Sequence, residues 1–145
     1  MQIDPRGPQF NAILTSVVLA LVLITAPSAV GVVFLGLQTV LFAVGVGLGV
    51  QRTPAAWLFR TFFRPRLTAP AHLEDPQPPR FAQGVGLAFA VVGLLGFVSG
   101  LTVLGAVATG FALVAALLNA VFGLCLGCEM YLLIKRTTSR PVTTY

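Results

Sequence analysis

From Gly7 to Gln51 the chain carries no charged residue, and neither does the stretch from Phe81 to Cys128. Each run far exceeds the roughly 20 apolar residues that cross a ~30 Å hydrocarbon core as one helix, and suits two crossings joined by a tight turn. Hydrocarbon offers no partner for free backbone N–H and C=O groups, and neither run shows the period-2 alternation of a barrel strand. Helices are therefore the only solution. The turns are expected at Ala26-Pro27-Ser28, where proline lacks the amide hydrogen that would continue a helix, and at Ser99-Gly100. The sequence thus predicts an all-α, four-transmembrane-helix bundle forming one integral membrane domain over 1–145, with helices at about 9–26, 29–51, 81–98 and 104–135. A continuous helix from Leu101 to Lys135 would be about 50 Å long at 1.5 Å per residue. Part of that segment must then be loop, tilt or protrusion.

Charge supports the same reading. Only 9% of residues are charged, against about 25% in an ordinary soluble domain, too few to clothe a surface in water. The net charge is +5. Its placement points to the anionic face of a membrane and not to nucleic acid. All basic residues (Arg6, Arg52, Arg60, Arg64, Arg66, Arg80, Lys135, Arg136 and Arg140) fall at the termini or in the central loop, and the two hairpin turns have none. The positive-inside rule then places both termini and the loop in the cytoplasm, in a multi-pass protein of the inner (plasma) membrane. Ala26-Pro27-Ser28-Ala29 would pass as a leader cleavage site. A second apolar run follows at once, however, so a retained hairpin is expected.

The central loop has two parts. Thr53-Pro54 is a helix-start signal, a capping hydroxyl followed by proline at the first helical position. Over about 54–64, Leu58, Phe59, Phe62 and Phe63 share one side of a helical wheel and Arg60, Thr61 and Arg64 the other, with Trp57 near the arginines. This pattern predicts a short interfacial amphipathic helix, with aromatics toward lipid and arginines toward phosphate; a docking surface for an acidic partner is the other use of such a face. Beyond it, prolines at 65, 70, 76, 78 and 79 make an extended connector holding His72, Glu74 and Asp75.

The two halves resemble each other. Asp4-Pro5-Arg6-Gly7-Pro8-Gln9-Phe10 leads into the first hairpin and Asp75-Pro76-Gln77-Pro78-Pro79-Arg80-Phe81 into the second. Gly45-Val46-Gly47-Leu48-Gly49-Val50-Gln51 leaves the first and Gly123-Leu124-Cys125-Leu126-Gly127-Cys128-Glu129 the second. This reads as two parallel helical-hairpin repeats. Gln38, Gly45 and Gly49 fall on one face of the second helix, and Asn119, Gly123 and Gly127 on one face of the fourth. Small residues four apart let backbones approach closely. These two helices are accordingly expected to cross there, with the amides as hydrogen-bonding glue.

Where the halves differ, chemistry-bearing residues appear: Cys125, Cys128 and Glu129 replace Gly47, Val50 and Gln51. Glu129 would lie about 9 Å inside the end of a continuous helix, and an ionisable group at that depth is a functional-site hypothesis by default. Three readings compete. The pair could be a thiol relay, with the sulfurs at i and i+3. The three residues could hold a soft metal, with His72 as a further ligand, although zinc wants four. Or the cysteines could be small packing residues, with Glu129 paired to Arg52 or Arg80. Against the relay, a position near the C-terminal end of a long helix, in apolar surroundings and beside a carboxylate, disfavours thiolate. A local disulfide would also strain a regular helix.

Ile3-Asp4-Pro5-Arg6-Gly7-Pro8, Glu74-Asp75-Pro76 with Pro78-Pro79-Arg80-Phe81, and Leu124-Cys125-Leu126-Gly127-Cys128-Glu129-Met130-Tyr131 together resemble an uncharacterised actinobacterial family. Its members are small integral membrane proteins classed as a domain of unknown function. The resemblance implies a neighbourhood of thioredoxin-like and rhodanese-type sulfurtransferase proteins, and so thiol or sulfur traffic. Two functions follow as expectations: a membrane thiol or sulfur relay at Cys125, Cys128 and Glu129 without a cofactor, or a non-enzymatic scaffold or accessory subunit. A small transporter working as a homo-oligomer is a weaker third.

Overall fold

The computed structural model of the protein describes residues 6–26, 28–66, 77–122 and 126–138. Six α-helices follow one another: α1 (Arg6–Thr25), α2 (Ala29–Leu48), α3 (Pro54–Leu58), α4 (Gln77–Val98), α5 (Thr102–Phe122) and α6 (Leu126–Thr138). No strand occurs among the described residues. α1, α2, α5 and the Pro79–Val98 part of α4 are long and apolar enough to cross a membrane. Their 20 or 21 residues give about 30 Å of helix, the thickness of the hydrocarbon core.

The last crossing differs from the single helix expected over 104–135. α5 ends at Phe122 and a separate helix, α6, starts at Leu126. Residues 123–125, between them, lie outside the described residues.

Both hairpins close on local hydrogen bonds. Ser28 caps α2: its hydroxyl accepts from the Gly31 N–H at 3.5 Å and donates to the Thr25 carbonyl. Gly31 lets the start of α2 lie against the end of α1, since a Cβ there would stand 2.6 Å from the Ala26 nitrogen. The second turn passes through Gly100 at φ +89°, a left-handed conformation that glycine adopts without steric cost. α2 stops at Gly49, whose φ of +98° ends the helix. Gly49 is thus a terminator, and α2 is shorter than the 29–51 expected. Arg80, on the first turn of α4, reaches across to that end. Its Nε donates to the Val46 carbonyl at 2.6 Å and its terminal nitrogen to the Gly47 carbonyl at 3.1 Å. Orphan carbonyls of the last helical turn are thereby satisfied by a cation, the sign the helix dipole favours at that end.

Around the bundle, α1 packs against α2 and α5, and α4 packs against α2, α5 and α6. α2 and α5 therefore stand diagonally opposite and do not form the crossing expected from their glycine faces. One glycine of each face packs against α4 instead. A Cβ at Gly45 would lie 2.9 Å from Gln83 Cγ, and one at Gly127 would lie 2.6 Å from Ala82. α4 and α5 approach closely at Gly96, where a Cβ would stand 2.7 Å from the backbone nitrogen of Gly105.

Leu19, Val22, Leu35, Phe42, Ala90, Phe97 and Ala112 form the core. Large apolar side chains such as Val33, Val103 and Phe111 point outward, as helices solvated by lipid require. Hydroxyls inside the spans are hidden by bonding one turn back along their own helix: Ser16 to the Ala12 carbonyl at 2.7 Å and Thr39 to the Leu35 carbonyl at 2.7 Å. Thr109, fully buried, is left without a partner at its hydroxyl.

Thr53 caps α3, its hydroxyl accepting from the Ala56 N–H at 3.2 Å, with Pro54 at the first helical position. The helix then widens into a single π turn over Phe59–Phe63, which adds a residue per hydrogen-bonded ring and shifts the faces. Phe59 is buried and Phe63 is exposed, and both contact the Phe10 ring, at centroid distances of 5.9 and 4.8 Å. Phe62 is exposed beside Trp57 in an edge-to-face pair. Of the three phenylalanines that a uniform helical wheel groups together, only Phe59 is buried.

Candidate functional site

Leu126, Gly127 and Cys128 are the first three residues of α6, and Glu129 completes its first turn. Cys128 thus lies in the first turn of α6 as described. Cys128 is half-buried and disulfide-bonded. The chain has one other cysteine, Cys125, which lies outside the described residues, as do Gly123 and His72.

The start of α6 is held against α4. Gly127 is buried on Ala82 with no room for a side chain. One helical turn on, the Tyr131 ring meets Phe81 at 5.6 Å. The i and i+4 positions of α6 thus bind it to the first turns of α4 and fix where Cys128 stands. Glu129 is exposed and not embedded. Arg80, considered above as its partner, is committed to the carbonyls of α2. The opposite end of α6 carries Lys135 and Arg136, so its charges follow the dipole at both ends. Among the described residues no three His, Cys, Asp or Glu side chains come together in a metal-binding group.

The residues read as packing glue behave differently from one another. Gln38 is buried in α2, and Gly45 gives its space to Gln83. Asn119 borders a partly open cavity of about 270 Å³ between α1, α4, α5 and the start of α6, with Phe42 of α2 on its wall. Asn11 and Gln83 border it as well. Neither stands out in a comparison of the hairpin exits, because both belong to the helices that begin the hairpins. The available signal was simpler: an amide inside an uncharged span is expensive wherever it occurs.

Fold and composition thus define a multi-pass helical membrane protein, with a disulfide-bonded cysteine at the end of the bundle where the described chain begins and ends. The chain belongs to the family described as Domain of unknown function (DUF4395), which matches residues 3–136. No curated protein and no solved structure matches the chain.

Proposed function

We propose that the protein is a membrane thiol or sulfur relay acting through Cys125, Cys128 and Glu129. The observation that carries this reading is the disulfide-bonded Cys128 in the first turn of α6, half-buried and flanked by an exposed carboxylate. In the proposed step a thiolate of a partner dithiol attacks one sulfur of a Cys125–Cys128 disulfide and forms a mixed disulfide. The partner's second thiol then displaces this chain's remaining sulfur. The partner dithiol is oxidised to a disulfide, this chain's disulfide is reduced to two thiols, and two electrons and two protons pass between them. Glu129, next to Cys128 and exposed, carries the proton to and from the sulfur. A thioredoxin-like protein suits the exchange, since it presents a dithiol; a rhodanese-type protein, with one reactive thiol, would stop at the mixed disulfide. The distribution of basic residues supports a site on the cytoplasmic face of the inner membrane.

The test is a redox titration of the purified protein against glutathione and thioredoxin buffers, with thiols counted by a water-soluble maleimide. The relay requires a potential in the range of helix-N-terminal exchange proteins, about −120 to −270 mV. A bond that stays closed below about −300 mV would be a structural staple, and the reading would fail. A partner that still co-purifies with a chain lacking both cysteines would indicate a scaffold or accessory subunit instead.

A further inference from the structure

We infer that the cavity between α1, α4 and α5 binds the ring head of a neutral, quinone-class lipid. Ala82 and Gly86 on α4 and Ala112, Ala115 and Ala116 on α5 face it with short side chains, leaving a volume of about 270 Å³. Phe42 cannot fill it, because its ring is seated on Gly86, where a Cβ would stand only 2.7 Å away. Gln83 is held at the wall by the space that Gly45 leaves.

The lining selects the ligand. It includes no Asp, Glu, Lys, Arg or His, so it has nothing to compensate an ion or a phosphate headgroup. Its polar groups are the amides of Asn11, Gln83 and Asn119 and the hydroxyl of Thr15. No hydrogen bond joins any of these three amides to another described residue. Amides left unpaired in a membrane span are costly, and a bound ligand would remove that cost. A carboxamide both donates and accepts. It can therefore bond the carbonyl of a quinone, which only accepts, and the hydroxyl of the quinol, which also donates. Phe89 and Phe111 border the cavity, their rings 6.2 Å apart and both exposed toward lipid. They form an apolar aromatic wall for a flat ring and its tail. The volume falls just below the ~300–1,000 Å³ that encloses drug-sized ligands, enough for a ring head whose tail stays in the bilayer. Cys128 does not line the cavity, so this inference does not depend on the thiol reading.

The experiment uses the full chain in nanodiscs, with a short-tailed quinone and its photoreactive azido analogue as probes. Saturable labelling is expected on the segments holding Gln83 and Asn119, competed by unlabelled quinone and quinol but not by the same tail ending in a methyl group. Asn119→Leu and Gln83→Leu, which keep volume while removing the hydrogen bonds, should each weaken binding at least tenfold. Ala116→Phe should abolish it by filling the space. Circular dichroism and a monodisperse profile establish that each variant folds, and where Ala116→Phe does not, the two leucine variants carry the test. Equal competition by the plain alkyl tail, or unchanged affinity in both leucine variants, would overturn the assignment and leave a pocket for acyl chains only.

Discussion

Replacing Gly96 with alanine should separate the third and fourth crossings. A Cβ there would lie 2.7 Å from Gly105 N, 3.0 Å from Gly105 Cα and 3.2 Å from the Leu101 carbonyl oxygen. Ordinary contact begins at 3.4 Å, so the first distance is short by about 0.7 Å. All three obstacles are backbone atoms, which cannot rotate away, so α4 and α5 must move apart or bend. Overpacking of this kind costs about 1–3 kcal/mol. Alanine also gains roughly 0.8–1 kcal/mol over glycine in a helix, which would mask part of the loss. Gly110, on the same helix pair, supplies the correction, because a Cβ there meets nothing within 4 Å. The difference between Gly96→Ala and Gly110→Ala therefore isolates the packing cost. It should favour Gly110→Ala by about 1–3 kcal/mol. Unfolding in mixed detergent–SDS micelles, read by pulse proteolysis, gives both values on one scale. If the two variants agree within about 0.5 kcal/mol, the close approach at Gly96 does not hold the hairpin together.

Two further expectations concern single side chains. Thr109→Val keeps the shape of a fully buried residue and removes a hydroxyl without a partner. It should stabilise the bundle by about 1 kcal/mol in the same assay, and a loss of stability would mean that the hydroxyl is satisfied in the membrane. Gly127→Ala would place a Cβ 2.6 Å from both Ala82 Cα and Ala82 Cβ and so lift the first turn of α6 from α4. Reduction of the Cys128 disulfide by glutathione, followed by maleimide labelling, should then be faster than in the native chain; an unchanged rate would show that this contact does not position the cysteine.

The bundle was legible because its signal is redundant. Two long uncharged runs, a proline turn and a serine–glycine turn all demand paired helices, and hydrocarbon leaves the backbone no other choice. The neighbours of each helix were less legible. The small-residue faces of α2 and of the last crossing are complementary to any closely approaching helix. The choice of α4 is made by Gln83 and Ala82, which are unremarkable in sequence but stand opposite Gly45 and Gly127. Helical wheels failed at two places for one reason: they assume unbroken 100° steps. The π turn at Phe59–Phe63 interrupts them in the central loop, where Phe59 is buried while Phe62 and Phe63 are exposed. The change of helix after Phe122 moves Cys128 from the expected end of a helix to a beginning. Composition told that lipid was the solvent, but it could not reveal a hollow. The alanines that create the cavity look like ordinary span residues until they face one another.

α4 touches α2, α5 and α6, while the N-terminal hairpin on its own offers only the pairing of α1 with α2. During synthesis that hairpin reaches the bilayer first. Gly45 then has no Gln83 above it, and the carbonyls of Val46 and Gly47 have no Arg80 to receive. The first half is thus an unfinished mould that the third crossing completes from the side. Two separately made pieces, divided between Arg66 and Gln77, would carry matching surfaces and could reassemble without the covalent link.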